Sequence, residues 1–78
     1  MENFVELIYD ERRDAFRFKD NDIWYSRKTI CPRHNIDLRK IYKYLCKLAG
    51  KKTNVTHISF TENNIRYSID IIRETKKK

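Results

Sequence analysis

Residues 35–50 read NIDLRKIYKYLCKLAG, the segment with the clearest structural pattern in the chain. Asn35 is the expected N-cap with Asp37 in the first turn, because short polar side chains accept hydrogen bonds from the free N–H groups there. Gly50, the only glycine, suits the left-handed residue that commonly follows a helix. Helical spacing places the apolar residues on one side, which predicts an amphipathic helix packed on a hydrophobic surface. These residues are Leu38, Ile41, Tyr42, Leu45, Leu48 and Ala49.

Three segments before the helix predict strands. Residues 4–9 (FVELIY) and 16–19 (FRFK) alternate between apolar and polar side chains around the polar tetrad ERRD, which predicts an antiparallel hairpin. Its expected partners are Tyr9 with Phe16, Leu7 with Phe18, and Glu6 with Lys19. Residues 23–26 (IWYS), or as far as residue 30, predict a third strand in which either Trp24 or Tyr25 faces the core.

A second hairpin follows the helix. Asn63 and Asn64 suit a two-residue turn with positive φ. The expected partners across it are His57 with Asp70, Ile58 with Ile69, Ser59 with Ser68, Phe60 with Tyr67, and Thr61 with Arg66. The order β-β-β-α-β-β predicts an α+β fold in which one amphipathic helix packs on one face of an antiparallel sheet. The order of the strands, and whether the hairpins share one sheet, stay open.

Length and charge bound the function. With 78 residues, we predict a single domain over residues 1–75 and a basic tail over residues 76–78. Eighteen Lys and Arg against eleven Asp and Glu give a net charge of +7, which attracts phosphates or acidic protein surfaces. No run approaches the ~18 apolar residues of a membrane span, and no signal-peptide pattern is present. We therefore expect a cytoplasmic protein with no membrane partner.

The polar side of the predicted helix carries the most specific functional signal. Its basic residues are Arg39, Lys40, Lys43 and Lys47, continued by Lys51 and Lys52. A second basic cluster could extend this side, and it consists of Arg27, Lys28 and Arg33. Such a surface predicts contacts with the phosphates of an RNA or DNA backbone. The alternative is an ordinary solvated face of a basic protein.

Some aromatic and apolar residues are candidates for further contacts. Those expected near the basic groups, and able to stack on unpaired bases, are Trp24, Tyr25 and Tyr44. The alternative is that Trp24 belongs to the core and the tyrosines are half-buried. Those expected on the sheet face away from the helix are Phe4, Ile8 and Ile72. They favour a protein interface or a dimer, although scattered exposed apolar residues are also common.

No catalytic, metal or cofactor site is predicted. Cys31, His34, Cys46 and His57 are of metal-ligand types, but they lack the compact paired spacing of zinc modules. One glycine is too few for a glycine-rich phosphate loop. We interpret His57 opposite Asp70 as a cross-strand pair and expect a protein that is not an enzyme. Nuclease or toxin activity is the one class of enzyme left open.

The segments ERRDAFRF (residues 11–18) and IYKYLCK (residues 41–47) and the overall composition resemble the small basic early and accessory proteins of T-even-type bacteriophages. The resemblance implies a role in host takeover or anti-defence, inside the host cell, and it assigns no functional residue. We predict a non-enzymatic nucleic-acid-binding protein, and we favour RNA or single strands because no base-reading helix is evident. The alternative is an inhibitor or adaptor that binds an acidic surface of a host protein.

Overall fold

The computed structural model describes residues 3–31, 35–50 and 54–73. Within these residues the elements are β1 (Asn3–Asp10), β2 (Ala15–Phe18), β3 (Trp24–Ser26), β4 (Ile30–Cys31), β5 (Ile36–Asp37), α1 (Leu38–Leu48), β6 (His57–Glu62) and β7 (Ile65–Ile72). Five strands form one sheet in the order β3-β2-β1-β7-β6, and β4 pairs with β5. The predicted α+β class is confirmed. The predicted domain boundary at residue 75 and the tail over residues 76–78 lie outside the described residues.

Both predicted hairpins are confirmed together with their registers. In the first hairpin the two apolar pairs form as expected, and the Lys19 amide donates a hydrogen bond to the Glu6 carbonyl oxygen at 3.1 Å. In the second hairpin all five expected pairs form. Asn63 and Asn64 have φ angles of 53° and 64°, the left-handed conformation that a tight two-residue turn requires.

A parallel pair of strands lies at the centre of the sheet. β1 runs parallel to β7 over its whole length, whereas the other neighbouring strands in this sheet are antiparallel. The chain leaves β3 at one edge and reaches β6 at the other edge after α1. The β6–β7 hairpin then returns β7 to the centre in the direction of β1. The sheet is therefore mixed, and mostly antiparallel as predicted.

The helix starts two residues later than predicted. Asp37 is the N-cap, and its carboxylate accepts a hydrogen bond from the Arg39 amide at 3.0 Å. Asn35, the predicted cap, instead has a left-handed φ of 57°. The cap prediction is wrong because β5 pairs with β4, which keeps the backbone extended up to Asp37. Gly50 has φ 57° and follows the helix as predicted.

The core lies between α1 and one face of the five-stranded sheet. The helix contributes Leu38, Ile41, Leu45 and Ala49, all buried. The sheet contributes Val5, Leu7, Tyr9, Phe16, Phe18, Ile58, Tyr67, Ile69 and Ile71. Leu48, at the end of the predicted apolar stripe, is exposed instead. The other face of the sheet is uncovered by any described element, so its side chains are accessible to partners.

The register of the third strand settles which aromatic residue faces the core. Tyr25 pairs with the buried Phe16 and packs against the core, whereas Trp24 pairs with Arg17 on the uncovered face. The interpretation of Trp24 as a core residue is therefore wrong. The strand also stops at Ser26, and Ile30 belongs to β4 instead.

Candidate functional site

A groove between α1 and the edge strand β6 gathers basic and aromatic side chains. It has a volume of about 420 Å³. The residues that line it, here called the lysine groove, are Lys40, Lys43, Tyr44, Lys47 and Glu62. Each of the four on α1 is three or four positions from two of the others, so they project from the same side of the helix. Three ammonium groups around one concave surface suit a ligand with negative charge.

Internal ion pairs divide the basic residues of α1 into two groups. Arg39 is compensated, because its guanidinium donates two hydrogen bonds to the Asp37 carboxylate at 3.0 and 2.9 Å. These hydrogen bonds hold the pKa of Asp37 below its usual value and raise the pKa of Arg39. Lys40 lies 4.0 Å from a carboxylate oxygen of Glu62, which is a loose pair. Lys43 and Lys47 are exposed and pair with no carboxylate in the described part of the chain.

A stack of aromatic rings fixes Tyr44 beside these lysines. The Tyr44 ring lies on Phe60 with 4.4 Å between centroids and an angle of 14° between planes. Phe60 in turn stacks on the buried Tyr67 at 5.1 Å. The three rings run from the core outward to the groove. Because Phe60 supports the Tyr44 ring, a planar ligand could extend the stack with little loss of side-chain entropy.

The second predicted basic cluster does not reach the lysine groove. Arg27 donates a hydrogen bond to the Asp14 carboxylate, and its guanidinium lies 4.6 Å from the centre of the Tyr42 ring. At about 100° per residue, Tyr42 projects from the flank of α1 opposite Tyr44. Lys28 lies on the Arg27 side, where its charge acts on Asp14. Arg33, like Lys51 and Lys52, falls outside the described residues.

Asp14→Asn is expected to lower stability in a pH-dependent way. Partial burial opposes ionisation, but hydrogen bonds from Tyr9 and Arg27 outweigh it and lower the pKa of Asp14. Because the pKa of Asp14 is lower in the folded chain than in the unfolded chain, the charged carboxylate stabilises the fold at pH values above about 3.9, the pKa in the unfolded chain. This stabilisation is lost as the pH falls through the pKa of the folded chain. The side chain is 46 % exposed, so we discount for solvent screening and expect a loss of about 1 kcal/mol at neutral pH.

Urea unfolding of both proteins at neutral and acidic pH would test this prediction. Asn retains the left-handed backbone that Asp14 adopts with φ 55°, so the substitution leaves the turn in place and removes the charge and one of the two accepting oxygens. The difference between the proteins should shrink in acid. A difference that is the same at both pH values would contradict the assignment.

The uncovered sheet face carries a network of compensated charges. Lys19 lies 2.9 Å from Asp70 and 4.0 Å from Glu6. His57 Nε2 is 2.8 Å from the Ser68 hydroxyl and 3.8 Å from the Asp70 carboxylate. A nucleophile relay needs the carboxylate on the other ring nitrogen, so this geometry does not align one. The network instead joins four neighbouring strands.

The apolar candidates on this face do not form one patch. Phe4 pairs with Arg66, and Ile72 pairs with Asp10, so the two lie near opposite ends of the central strands. Six residues along a strand separate these positions by about 20 Å. Ile8 lies between them and is half-buried. The charge network crosses the same surface, so these residues present separate apolar spots.

Trp24 and Tyr25 are also far from the lysine groove. Both lie on β3, at the edge of the sheet opposite β6. Two guanidinium groups cover Trp24, with Arg13 at 4.7 Å and Arg17 at 5.4 Å from its ring centre. Of the three predicted stacking residues, only Tyr44 lies beside the basic side of α1. Glu62 is not among the predicted site residues, although its alternation with Phe60 on β6 places it on the helix side of the sheet.

Potential metal ligands are dispersed in the described ranges, where no three His, Cys, Asp or Glu side chains cluster. Cys31 is buried, Cys46 is exposed, and both are free thiols, whereas His34 lies outside these ranges. The described residues also contain no helix with the length and apolar character needed to cross a bilayer. No family model, curated protein or solved structure matches the chain. The resemblance to bacteriophage proteins therefore stays a prediction, and the groove is the basis for assigning a function.

Proposed function

We propose that this protein binds single-stranded nucleic acid, RNA or DNA, in the lysine groove. The phosphates contact the ammonium groups of the groove, and one unpaired base stacks on Tyr44. The observation that carries the proposal is the concave surface on which lysines, two of them without a carboxylate partner among the described residues, meet a supported aromatic ring. The binding is non-enzymatic, and the protein is an accessory factor that holds a strand.

The charge distribution supports backbone binding. Lys43 and Lys47 pair with no carboxylate of the described residues, and Lys40 adds to the field because its pairing with Glu62 is loose. Lysines that contact phosphates release condensed counterions, which supplies most of the affinity in binding that is not sequence-specific. The net charge of +7 adds long-range attraction to any polyanion.

The position of Tyr44 supports single strands over duplexes. A base can stack on a protein ring only after it leaves its neighbours, which costs less in a single strand than in a duplex. The groove volume of about 420 Å³ falls within the range of about 300–1,000 Å³ that is typical of small-ligand sites. Such a groove holds one nucleotide of the strand, and the phosphates on either side of it extend along the lysines.

Fluorescence anisotropy would test the proposal by comparing the binding of one twelve-nucleotide strand in two forms. The first form is the single strand, and the second is the same strand annealed to its complement. Base–aromatic stacking contributes about 1–3 kcal/mol per base, so the single strand should bind at least about fivefold more tightly. Equal binding of the duplex, or no binding of either form, would overturn the proposal. Poly-glutamate is the control for an acidic protein partner, and equally tight binding to it would favour the inhibitor hypothesis instead.

A further inference from the structure

Glu62 is the one acidic side chain of the lysine groove, and a site for phosphates alone would gain nothing from it. Its side chain is 22 % exposed, and its carboxylate lies 4.0 Å from the Lys40 ammonium group. In the described part of the chain it accepts no hydrogen bond, so its oxygens are available to a ligand. A carboxylate repels a phosphate, so its presence points to a second kind of group in the ligand.

We propose that Glu62 makes the lysine groove selective for guanine, an inference that rests on the proposed binding of single strands. Glu62 lies two residues beyond Phe60 on the same face of β6. This spacing corresponds to about 7 Å along the strand. Because Phe60 stacks on its cross-strand partner Tyr67, the ring stack runs across the strands, and Glu62 lies to one side of it. It therefore meets the edge of a base that stacks on Tyr44.

The hydrogen-bonding pattern of that edge identifies the base. An ionised carboxylate only accepts hydrogen bonds, and it has two oxygens. Guanine alone presents two adjacent donors on its Watson–Crick edge, N1–H and the N2 amino group, and the O6 acceptor lies next to them. Glu62 accepts from the two donors, and Lys40 donates to O6. The Lys40–Glu62 distance of 4.0 Å keeps the donor and the acceptor side by side along such an edge.

The other bases match this pair less well. Adenine and cytosine each offer one amino donor on this edge, and uracil offers one imino N–H, so each leaves one carboxylate oxygen unmatched. A buried acceptor that loses its partner costs free energy, which is how polar sites discriminate between similar ligands. In this arrangement Lys43 and Lys47 remain for the flanking phosphates, and both lack a carboxylate partner among the described residues.

Anisotropy with uridine dodecamers that carry one central guanine, adenine, cytosine or hypoxanthine would test the inference. A single guanine in a uridine host avoids self-association of guanine-rich strands. We expect the guanine oligonucleotide to bind about tenfold more tightly than the others. Hypoxanthine differs from guanine only in lacking the N2 amino group and should lose most of this advantage.

Glu62→Gln identifies the residue responsible. We expect the guanine preference to fall to about twofold or less, because an amide accepts at only one of its two positions. Binding of the all-uridine strand should tighten, since a negative charge is removed from the groove. The matched control is Glu6→Gln on the uncovered sheet face, where Glu6 also lies 4.0 Å from a lysine. This control should keep the preference.

The outcomes separate the two proposals. If all the oligonucleotides bind alike, the guanine inference is overturned while the proposed function stands. The same holds if Glu62→Gln keeps the preference. If no oligonucleotide binds, the proposed function itself fails.

Discussion

Phe16→Ala is expected to cost about 3–5 kcal/mol of the free energy of unfolding, the usual loss when a large buried ring is removed. Phe16 is 0 % exposed, and its ring centroid lies 4.8 Å from that of Tyr9. The free energy of unfolding is about 0.05–0.15 kcal/mol per residue, so a domain of this size has roughly 4–12 kcal/mol in total. The variant should therefore unfold at much lower urea, or fail to fold at 25 °C, as followed by circular dichroism.

Phe4→Ala is the matched control for this prediction. It makes the same chemical change on the same sheet, but Phe4 is 60 % exposed on the uncovered face. We expect the free energy of unfolding to change by no more than about 0.5 kcal/mol, which is usual for substitutions on the surface. Similar losses in both variants would mean that the core does not lie between α1 and the sheet face that carries Phe16.

Reversing the charge of Lys43 and Lys47 is expected to weaken binding to a single strand on the order of 50-fold in 50 mM salt. Two phosphate contacts on a single strand contribute a factor of this size through counterion release. Both side chains are exposed, so the fold should remain intact. A glutamate at position 43 also relieves the repulsion between residue 43 and Arg39, four positions earlier on α1.

A control with the same change in net charge separates contact from overall attraction. Arg12→Glu combined with Lys28→Glu also lowers the net charge by four. Both positions are exposed and away from the lysine groove, because Arg12 lies in the turn after β1 and Lys28 follows β3, the edge strand opposite β6. We expect this variant to bind a few-fold more weakly at most, because the Debye length of about 10 Å in 0.1 M salt screens distant charges. Equal losses in the two double variants would show that only the net charge matters.

The hairpins were predictable because their pairing is local and each face sorts by polarity. Apolar alternation on both sides of a short turn leaves one register that puts Leu7 and Phe18 on the same face. The parallel contact between β1 and β7 was not predictable in this way. It joins segments from opposite ends of the chain, and the hairpins are equally regular in either strand order.

Tertiary contacts also explain the two errors near the helix and the third strand. Asn35 and Asp37 are both good caps by propensity, and the β4–β5 pair decides between them. The face of Trp24 depends on the length of the turn between β2 and β3, and a shift by one residue exchanges the faces of Trp24 and Tyr25. Neither the pairing nor the turn length can be read from local patterns alone.

The basic side of α1 could be predicted from the sequence, but the ion pairs between basic residues and carboxylates could not. The spacing of Lys40, Lys43 and Lys47 follows directly from the helical period. The pairing of Arg27 with Asp14 joins residues thirteen positions apart and requires the sheet register. The contribution of Glu62 requires the packing of α1 against β6. A contact between separate elements depends on the fold, which a single-sequence pattern does not contain.

The most direct test of the central claim, that the lysines of α1 bind a nucleic acid backbone, is the salt dependence of binding to the uridine dodecamer. With three phosphate contacts, log K against log salt should have a slope of about −2 for the unmodified protein. The slope should flatten to about −0.7 for the Lys43→Glu, Lys47→Glu variant, and the Arg12→Glu, Lys28→Glu control should stay near −2. The same slope in the unmodified protein and the lysine variant would contradict the claim.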